Sequence, residues 1–300
     1  MTGLICSIDT CAKAHPNYSQ ILLNYIGHPL RPTRSKATMN KMIDQDYLKK
    51  EQYSHSGNLQ DRMQLHDRFS VNRRGWLPWV FDQFELPAQA QVLELGCGPG
   101  GVWQRNRERI PSGWQITLAD LSPGMVATAR GHLGAAEFSY SVIDAQHLPF
   151  AADCFDGVIA NHMLYHVPDR GRAMGEIGRV LKAGGILYAA TNGDTQGKGL
   201  RDWALRALGR PVPRDETFAH FKLENGGAEL GKFFDQVELR RYEDALEITE
   251  VEPLVTYLQS TTALAPAADQ LAGLRRQIAA EIERHGCLRL AKSAGLFVAR

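Results

Sequence analysis

The sequence predicts an α/β protein built on a mostly parallel sheet, and three observations predict it. Short apolar runs alternate with helical patterns between about residues 90 and 190. A glycine loop follows the first of these runs directly. A polar residue stands at or near the carboxyl end of each of the first four runs. Alternating strands and helices argue for a parallel sheet covered on both faces. Open sheets of that kind bind ligands beyond the carboxyl ends of their strands.

Residues 1–41 contain Pro16, Pro29 and Pro32 with no sustained periodicity, and read as a disordered extension. Residues 42–86 read as a helical N-terminal segment. In it, Trp76, Trp79, Val80 and Phe84 share one face as a core stripe, and Pro87 ends the pattern. The central unit spans 87–193. It starts with the strand Val92–Leu95, the glycines, and a helix from Val102 to Ile110. A strand Ile116–Ala119 follows. Ser122 and Pro123 then supply an N-cap and a first helical position for a helix that buries Val126, Ala129 and Leu133. Tyr140–Ile143 and Gly157–Ala160 are the third and fourth strands. A helix from Arg170 to Lys182 carries Met174, Ile177 and Leu181, Gly184 and Gly185 stop it, and Ile186–Ala190 is the fifth strand.

Beyond Thr191 the rhythm breaks. Residues 194–235 read as an inserted lid, with a helix on Leu200, Trp203, Ala204, Ala207 and Leu208, then an irregular stretch around Pro211 and Pro213. Residues 236–300 complete the sheet around a second helical insertion. Val237–Tyr242 is a strand, 252–285 reads as helical again through Leu271, Leu274, Ile278 and Ile282, and Leu296–Ala299 closes the chain as a strand.

Composition narrows the function. With 44% hydrophobic and 22% charged residues the chain is an ordinary globular one, and a formal net charge of +1 provides no field for nucleic acid or an anionic membrane. No apolar run approaches the ~20 residues of a membrane span. The N-terminus lacks the basic and apolar regions of a secretion signal. Five scattered cysteines (Cys6, Cys11, Cys97, Cys154, Cys287) make neither a disulfide framework nor a metal site. These features point to a reduced, cytoplasmic protein that holds no metal and acts on a small molecule. None of them separates a monomer from a homodimer.

The chemistry concentrates at the strand ends. Glu94, Asp120, Asp144 and Asn161 stand in order on the first four strands. One such polar residue is an ordinary surface residue; four in order are harder to reach by chance. The loop Gly96-Cys97-Gly98-Pro99-Gly100-Gly101 exceeds what a tight turn requires. Its glycines allow close backbone approach to a ligand, and the helix start behind it offers free N–H groups. The spacing Gly96-x-Gly98-x-x-Gly101 also satisfies the dinucleotide pattern, with Asp120 about 20 residues on as a ribose-binding acid. On the loop alone, NAD and another adenosine-containing cofactor stay open.

The surrounding motifs separate them. Glu94 begins the pattern Glu-x-Gly-x-Gly-x-Gly. Asp144-Ala145-Gln146-His147-Leu148-Pro149-Phe150 follows strand three, Phe155 to Val167 spans strand four, and Leu181-Lys182-Ala183-Gly184-Gly185 precedes strand five. In this combination residues 75–193 resemble the class I S-adenosylmethionine-dependent methyltransferases, in particular the small-molecule group that includes ubiquinone- and menaquinone-pathway enzymes. The resemblance implies a Rossmann-like seven-stranded sheet whose last strand, here Leu296–Ala299, runs antiparallel. It implies S-adenosylmethionine as cofactor and S-adenosylhomocysteine as product. Glu94 with Gly96, Cys97, Gly98 and Gly100 would lie along the methionine moiety. Asp120 would hold the ribose hydroxyls, with Leu121 against the adenine. Asp144 would accept from the adenine amino group, with the Ala145 N–H near a ring nitrogen. Asn161 would lie close to the sulfonium, and Tyr53 in the leading segment would fold over the donor.

Methyl transfer from a sulfonium needs alignment and water exclusion first, and a base only where the acceptor is protonated. His162, Tyr165 and His166 lie just past strand four, where an acceptor would approach. His166 is the first base candidate and His162 the second; the alternative for each is a histidine that hydrogen-bonds within its loop. Trp203, Phe218 and Phe221, with Tyr165, are candidates for the acceptor wall, although satellite core explains aromatic residues there as well. Two other functions stay in view: an NAD-dependent oxidoreductase using the same loop, for which no Tyr-x-x-x-Lys pair is present, and a non-catalytic cofactor-binding protein.

Overall fold

The computed structural model describes residues 44–47, 64–194, 198–212, 221–260 and 264–300. Its centre is a seven-stranded sheet in the order β3-β2-β1-β4-β5-β9-β6. The strands are β1 (Ala90–Leu95), β2 (Trp114–Asp120), β3 (Phe138–Val142), β4 (Phe155–Asn161), β5 (Leu181–Asn192), β6 (Val237–Tyr242) and β9 (Ala294–Ala299). β1 to β5 pair in parallel, and β9 runs antiparallel between β5 and β6. The expected reversed last strand is therefore present. Order reverses at β1, which has β2 on one side and β4 on the other. The crevice of an open α/β sheet forms at such a reversal, and the glycine loop leaves β1 there.

Side-chain alternation builds two cores. Leu93, Leu95, Val158, Ala160, Leu187, Ala189, Phe297 and Ala299 face one way. Val92, Ile159, Ile186, Tyr188, Ala190, Leu296 and Val298 face the other. This is the period-two signature of strands buried on both faces. The first face is covered by α4 (Arg170–Val180) and α6 (Gly226–Leu230). The second is covered by α1 (Trp76–Asp82), α2 (Gly101–Asn106) and α3 (Pro123–Leu133). Ser122 caps α3 as expected, its hydroxyl accepting from the Met125 N–H at 3.3 Å.

A third cluster forms a smaller lobe beside the sheet. It joins α5 (Lys198–Ala207), α7 (Val251–Gln259), α8 (Leu271–His285), the segment 64–69, and a two-stranded antiparallel ribbon of β7 (Ala245–Ile248) and β8 (Leu288–Ala291). The sequence pattern gives no warning of this ribbon. Ala-Leu-Glu-Ile suits a helix as well as a strand, and four residues are too few to show a period.

Two sequence expectations are corrected. The leading segment is not one continuous helix: among its described residues, 64–69 are helical, Ser70 bridges to Leu246 across the ribbon edge, and Gly75 at φ 74° starts α1 afresh. The stretch 252–285 is likewise two helices. α7 ends at Gln259 and α8 starts at Leu271, with Pro266 between them where an unbroken helix would need its N–H. No helix among the described residues is long and apolar enough to cross a membrane.

The lobe's core is small enough for single side chains to matter. Ile278, fully buried on α8, sits at its centre with Leu254, Leu258 and Leu274. Ile278→Ala should destabilise the protein by about 2–5 kcal/mol, read as a lowered midpoint in urea unfolding. A midpoint unchanged within error would mean that the lobe is not part of the cooperative unit.

Candidate functional site

The glycine loop turns on three left-handed residues, Gly96 at φ 65°, Gly98 at φ 53° and Gly100 at φ 80°. A Cβ on Gly96 would meet Met163 at 2.6 Å, and one on Gly100 would meet Leu133 at 2.6 Å. These two glycines are required by packing within the protein. Gly98 is different, because nothing lies within 4 Å of where its Cβ would point. That open side is the approach a ligand would use.

Asp120 holds the loop. At the end of β2 its carboxylate accepts from the Gly98 N–H at 2.9 Å and from the Ser122 N–H at 2.8 Å, one bond to each oxygen. Burial pushes its pKa up, while the backbone donors of Ser122, Gly98 and Leu121 work against that rise. Each oxygen keeps further lone-pair capacity, which suits a vicinal diol. Cys97 is buried beside it, and its N–H donates to the Ala119 carbonyl at 3.0 Å.

Glu94 lies beneath the loop on the α1–α2 face, 2% exposed, and accepts from the Trp103 indole N–H at 2.6 Å. Burial raises its pKa to about 8, with the Asp120 charge adding to the rise against the Trp103 bond. At neutral pH Glu94 is therefore mostly a neutral acid until a cation comes within reach. Asp144, past β3, is half-buried. Burial opposes its ionisation, but donors from Gln146 and from the Gln45 amide at 3.0 Å outweigh that and hold the pKa low. The Gln45 amide makes the contact that an exocyclic amino group would make. Ala145 is buried next to it, and Leu121 is half-buried beside Asp120.

Asn161 ends β4 with its Oδ1 buried and without a hydrogen-bond partner among the described residues. His162 follows in a left-handed conformation, φ 57°. It too is buried with an unpartnered Nδ1, and burial, then Lys292, then His166 bring its pKa down to about 4. Tyr165 and His166 lie in the next turn with their rings 4.5 Å apart, edge to face.

The structure thus brings Glu94, the glycines, Asp120, Asp144 and Asn161 to one edge of the sheet, with His162, Tyr165 and His166 alongside. Phe221 does not line that edge. Phe221 is 1% exposed in the core against Phe297, so it lines no surface open to a ligand. Trp203 packs against the lobe's own cluster. Tyr53 and Phe218 lie outside the described residues.

Sequence reasoning missed a second group at the same edge. Trp76 stands 5.0 Å from the His162 ring and 5.2 Å from the Tyr242 ring, and Trp79 is 5.2 Å from Tyr242. Lys292 lies over the Tyr242 ring at 5.5 Å and is paired to the fully buried Asp244, which also accepts from Ser70. Tyr242 closes β6 at the same edge as Asn161. The strand-end rule that singled out the four polar residues would have singled it out too, had it been carried past β4.

Known proteins are similar to this chain in sequence and in fold. A family model described as a methyltransferase domain matches residues 93–189. A malonyl-[acyl-carrier protein] O-methyltransferase of Geobacter sulfurreducens is 33% identical over 166 residues, 52% of this chain and 61% of the relative. A ubiquinone biosynthesis O-methyltransferase of Xanthomonas oryzae pv. oryzae is 34% identical over 174 residues, 55% of this chain and 68% of the relative. The chain thus spans less than two thirds of the first of these and slightly more of the second. The structure of Haemonchus contortus phosphoethanolamine N-methyltransferase 2 in complex with S-adenosyl-L-methionine superposes with a TM-score of 0.51 at 20% identity, covering 85% of this chain and 59% of that one. At that identity the likeness is one of fold.

Glu94 gives a pH-dependent prediction. Its folded pKa of about 8 lies above the 4.5 of an ordinary glutamate, so the folded state holds a proton that the unfolded state releases. Stability from this group is complete below pH 4.5 and is lost as pH rises through about 8. Glu94→Gln keeps an acceptor for Trp103 but cannot ionise. The melting temperature of the variant relative to the unmodified protein should climb between about pH 5 and pH 8 and level off above, a swing on the order of a few kcal/mol. A flat difference across that range would show that Glu94 is not buried as a neutral acid.

Proposed function

The chain belongs to the class I S-adenosylmethionine-dependent methyltransferases, and on that premise we propose that it methylates a small organic acceptor across the carboxyl edge of its sheet. The observation that carries this reading is the row of ligand-ready groups on adjacent strands: Glu94, the open Gly98, Asp120, Asp144 and the unpartnered Asn161 oxygen.

The residues fit the cofactor part by part. Asp120 offers two acceptor oxygens to the ribose diol. Asp144 would exchange its Gln45 donor for the adenine amino group, with Ala145 and Leu121 beside the ring. The Gly98 backbone and the start of α2 would face the methionine end. Glu94 beneath them would ionise when the ammonium approaches, since a nearby cation favours its charged form. The Asn161 carbonyl oxygen supplies negative partial charge where a sulfonium would lie. When bound, the cofactor would supply an activated methyl group for in-line transfer to the acceptor's nucleophilic atom.

The protein's part is to align and to exclude water. His162, Tyr165 and His166 follow Asn161 directly and would meet the acceptor. His162, with a pKa near 4, serves as a hydrogen-bonding partner more readily than as a proton store. His166 remains the candidate base for any acceptor that arrives protonated.

Calorimetry tests the reading. The protein should bind S-adenosylhomocysteine, and Asp120→Ala should weaken that binding by about 1.5–3 kcal/mol, the range for hydrogen bonds to a charged group. Binding of NADH in place of S-adenosylhomocysteine would replace this function with the oxidoreductase alternative. An unchanged affinity in the variant would remove Asp120 from the ribose site.

A further inference from the structure

Gln146 stands two residues past Asp144, half-buried, and its side-chain amide is bonded at both ends. Its Nε2 lies 3.0 Å from each oxygen of the Asp144 carboxylate. Its Oε1 accepts from the Asp169 N–H at 3.0 Å. The backbone of Gln146 is engaged as well. Its N–H donates to Asp144 Oδ1 at 3.0 Å, and its carbonyl accepts from the Arg172 Nε at 3.0 Å. Asp169 in turn caps α4, its carboxylate accepting from the Arg172 N–H at 2.9 Å.

The carboxylate torsion of an aspartate is soft, so the side chain alone does not decide which oxygen faces a ligand. Gln146 decides it here. Its N–H and its Nε2 both hold Oδ1, while Oδ2 is the oxygen that the Gln45 amide reaches at 3.0 Å.

We propose that Gln146 is the positioning residue for the cofactor's base: anchored at the start of α4, it pins Asp144 by one oxygen and so presents the other to the exocyclic amino group of adenine. The inference rests on the methyltransferase reading and adds the residue that sets the choice of base.

Only an amide fits both ends. One partner is a carboxylate, which needs a donor, and the other is an N–H, which needs an acceptor. The reverse orientation would set a carbonyl against a carboxylate and an amino group against an N–H, so the partners fix which way the amide points. A glutamate at this position would still accept from Asp169, but it would bring a second carboxylate against Asp144. A methionine would have the reach and serve neither end. The anchor is firm, because Ala173, Met174 and Ile177 of α4 are fully buried in the first core. Against the burial that opposes ionisation of Asp144, the two Gln146 bonds are the largest contributions that keep it charged. A charged acceptor makes the stronger bond to an amino group.

Calorimetry of the full chain with two ligands tests this. One is S-adenosylhomocysteine. The other is its deamino analogue, which carries hydrogen in place of the exocyclic amino group and keeps every ring nitrogen. The unmodified protein should prefer S-adenosylhomocysteine by about tenfold, the low end for a hydrogen bond to a charged group. Gln146→Met should narrow that preference to about twofold, as for an amino-group bond that is largely lost. It should do so by weakening S-adenosylhomocysteine while the analogue binds as before. Gln146→Glu, which keeps the bond to Asp169, should narrow the preference at least as far. The proposal is overturned if either variant keeps the full preference. Equal weakening of both ligands is such a result, because a merely structural role for Gln146 would produce it. If the unmodified protein binds the two ligands equally, Asp144 does not read the amino group and this inference alone is lost. If neither ligand binds the unmodified protein, the methyltransferase reading falls with it.

Discussion

The carboxylate of Asp120 fixes the geometry on which the site depends. It takes one N–H from the loop after β1 and one from the start of α3. Two strand exits at the point where the sheet order reverses are thereby tied to a single side chain. Side chains at Gly96 and Gly100 would run into Met163 and Leu133, so the loop keeps this path only with glycine at both positions. Gly98, held by Asp120 and facing open space, is what remains for a ligand. Loop backbone and the Asp120 carboxylate are therefore one unit.

Beneath that unit, the protein accepts an electrostatic cost. Glu94 has a single strong donor in Trp103 and is otherwise enclosed by apolar groups, so its charged form is unfavourable in the free protein. A residue of this kind contributes little to stability at neutral pH, since an amide or an apolar group would be easier to bury. Its position directly under the loop gives it a different value. A cation arriving from the open side would meet a carboxyl group ready to ionise, and the gain on binding would be larger than for an acid already solvated or paired.

Much of this was legible in the sequence because each signal was local. The Ser122–Pro123 cap, the glycine loop and the strand-end residues from Glu94 to Asn161 depend on neighbours a few positions away, and the structure places them where the pattern implied. The aromatic group around Trp76 and Tyr242 was not legible, for a physical reason. Trp76 and Trp79 fit a helical core stripe, and they do pack on the second core; that their outer rims also meet His162 and Tyr242 depends on β6 returning beside β9 at the far edge of the sheet. Phe221 misled in the opposite direction. An aromatic residue after an irregular, proline-bearing stretch looks like a lid, but its ring fills the space over Gly226, where even a Cβ would come within 3.0 Å of it.

The small lobe gains a purpose from the same geometry. The chain passes from the main sheet into the lobe between Tyr242 and Ala245, and back out between Ala291 and Ala294. Asp244 stands on the first crossing and Lys292 on the second, joined by their ion pair and by the Lys292 N–H to the Asp244 carbonyl at 3.3 Å. Ser70 and Asn72, where the leading segment breaks, bond to the same Asp244. Three separate stretches of chain thus converge on one buried carboxylate near Tyr242. The strand-end polar residues from Glu94 to Asn161 are carried on β1 to β4, whereas this buried ion pair is carried on the connections to the lobe.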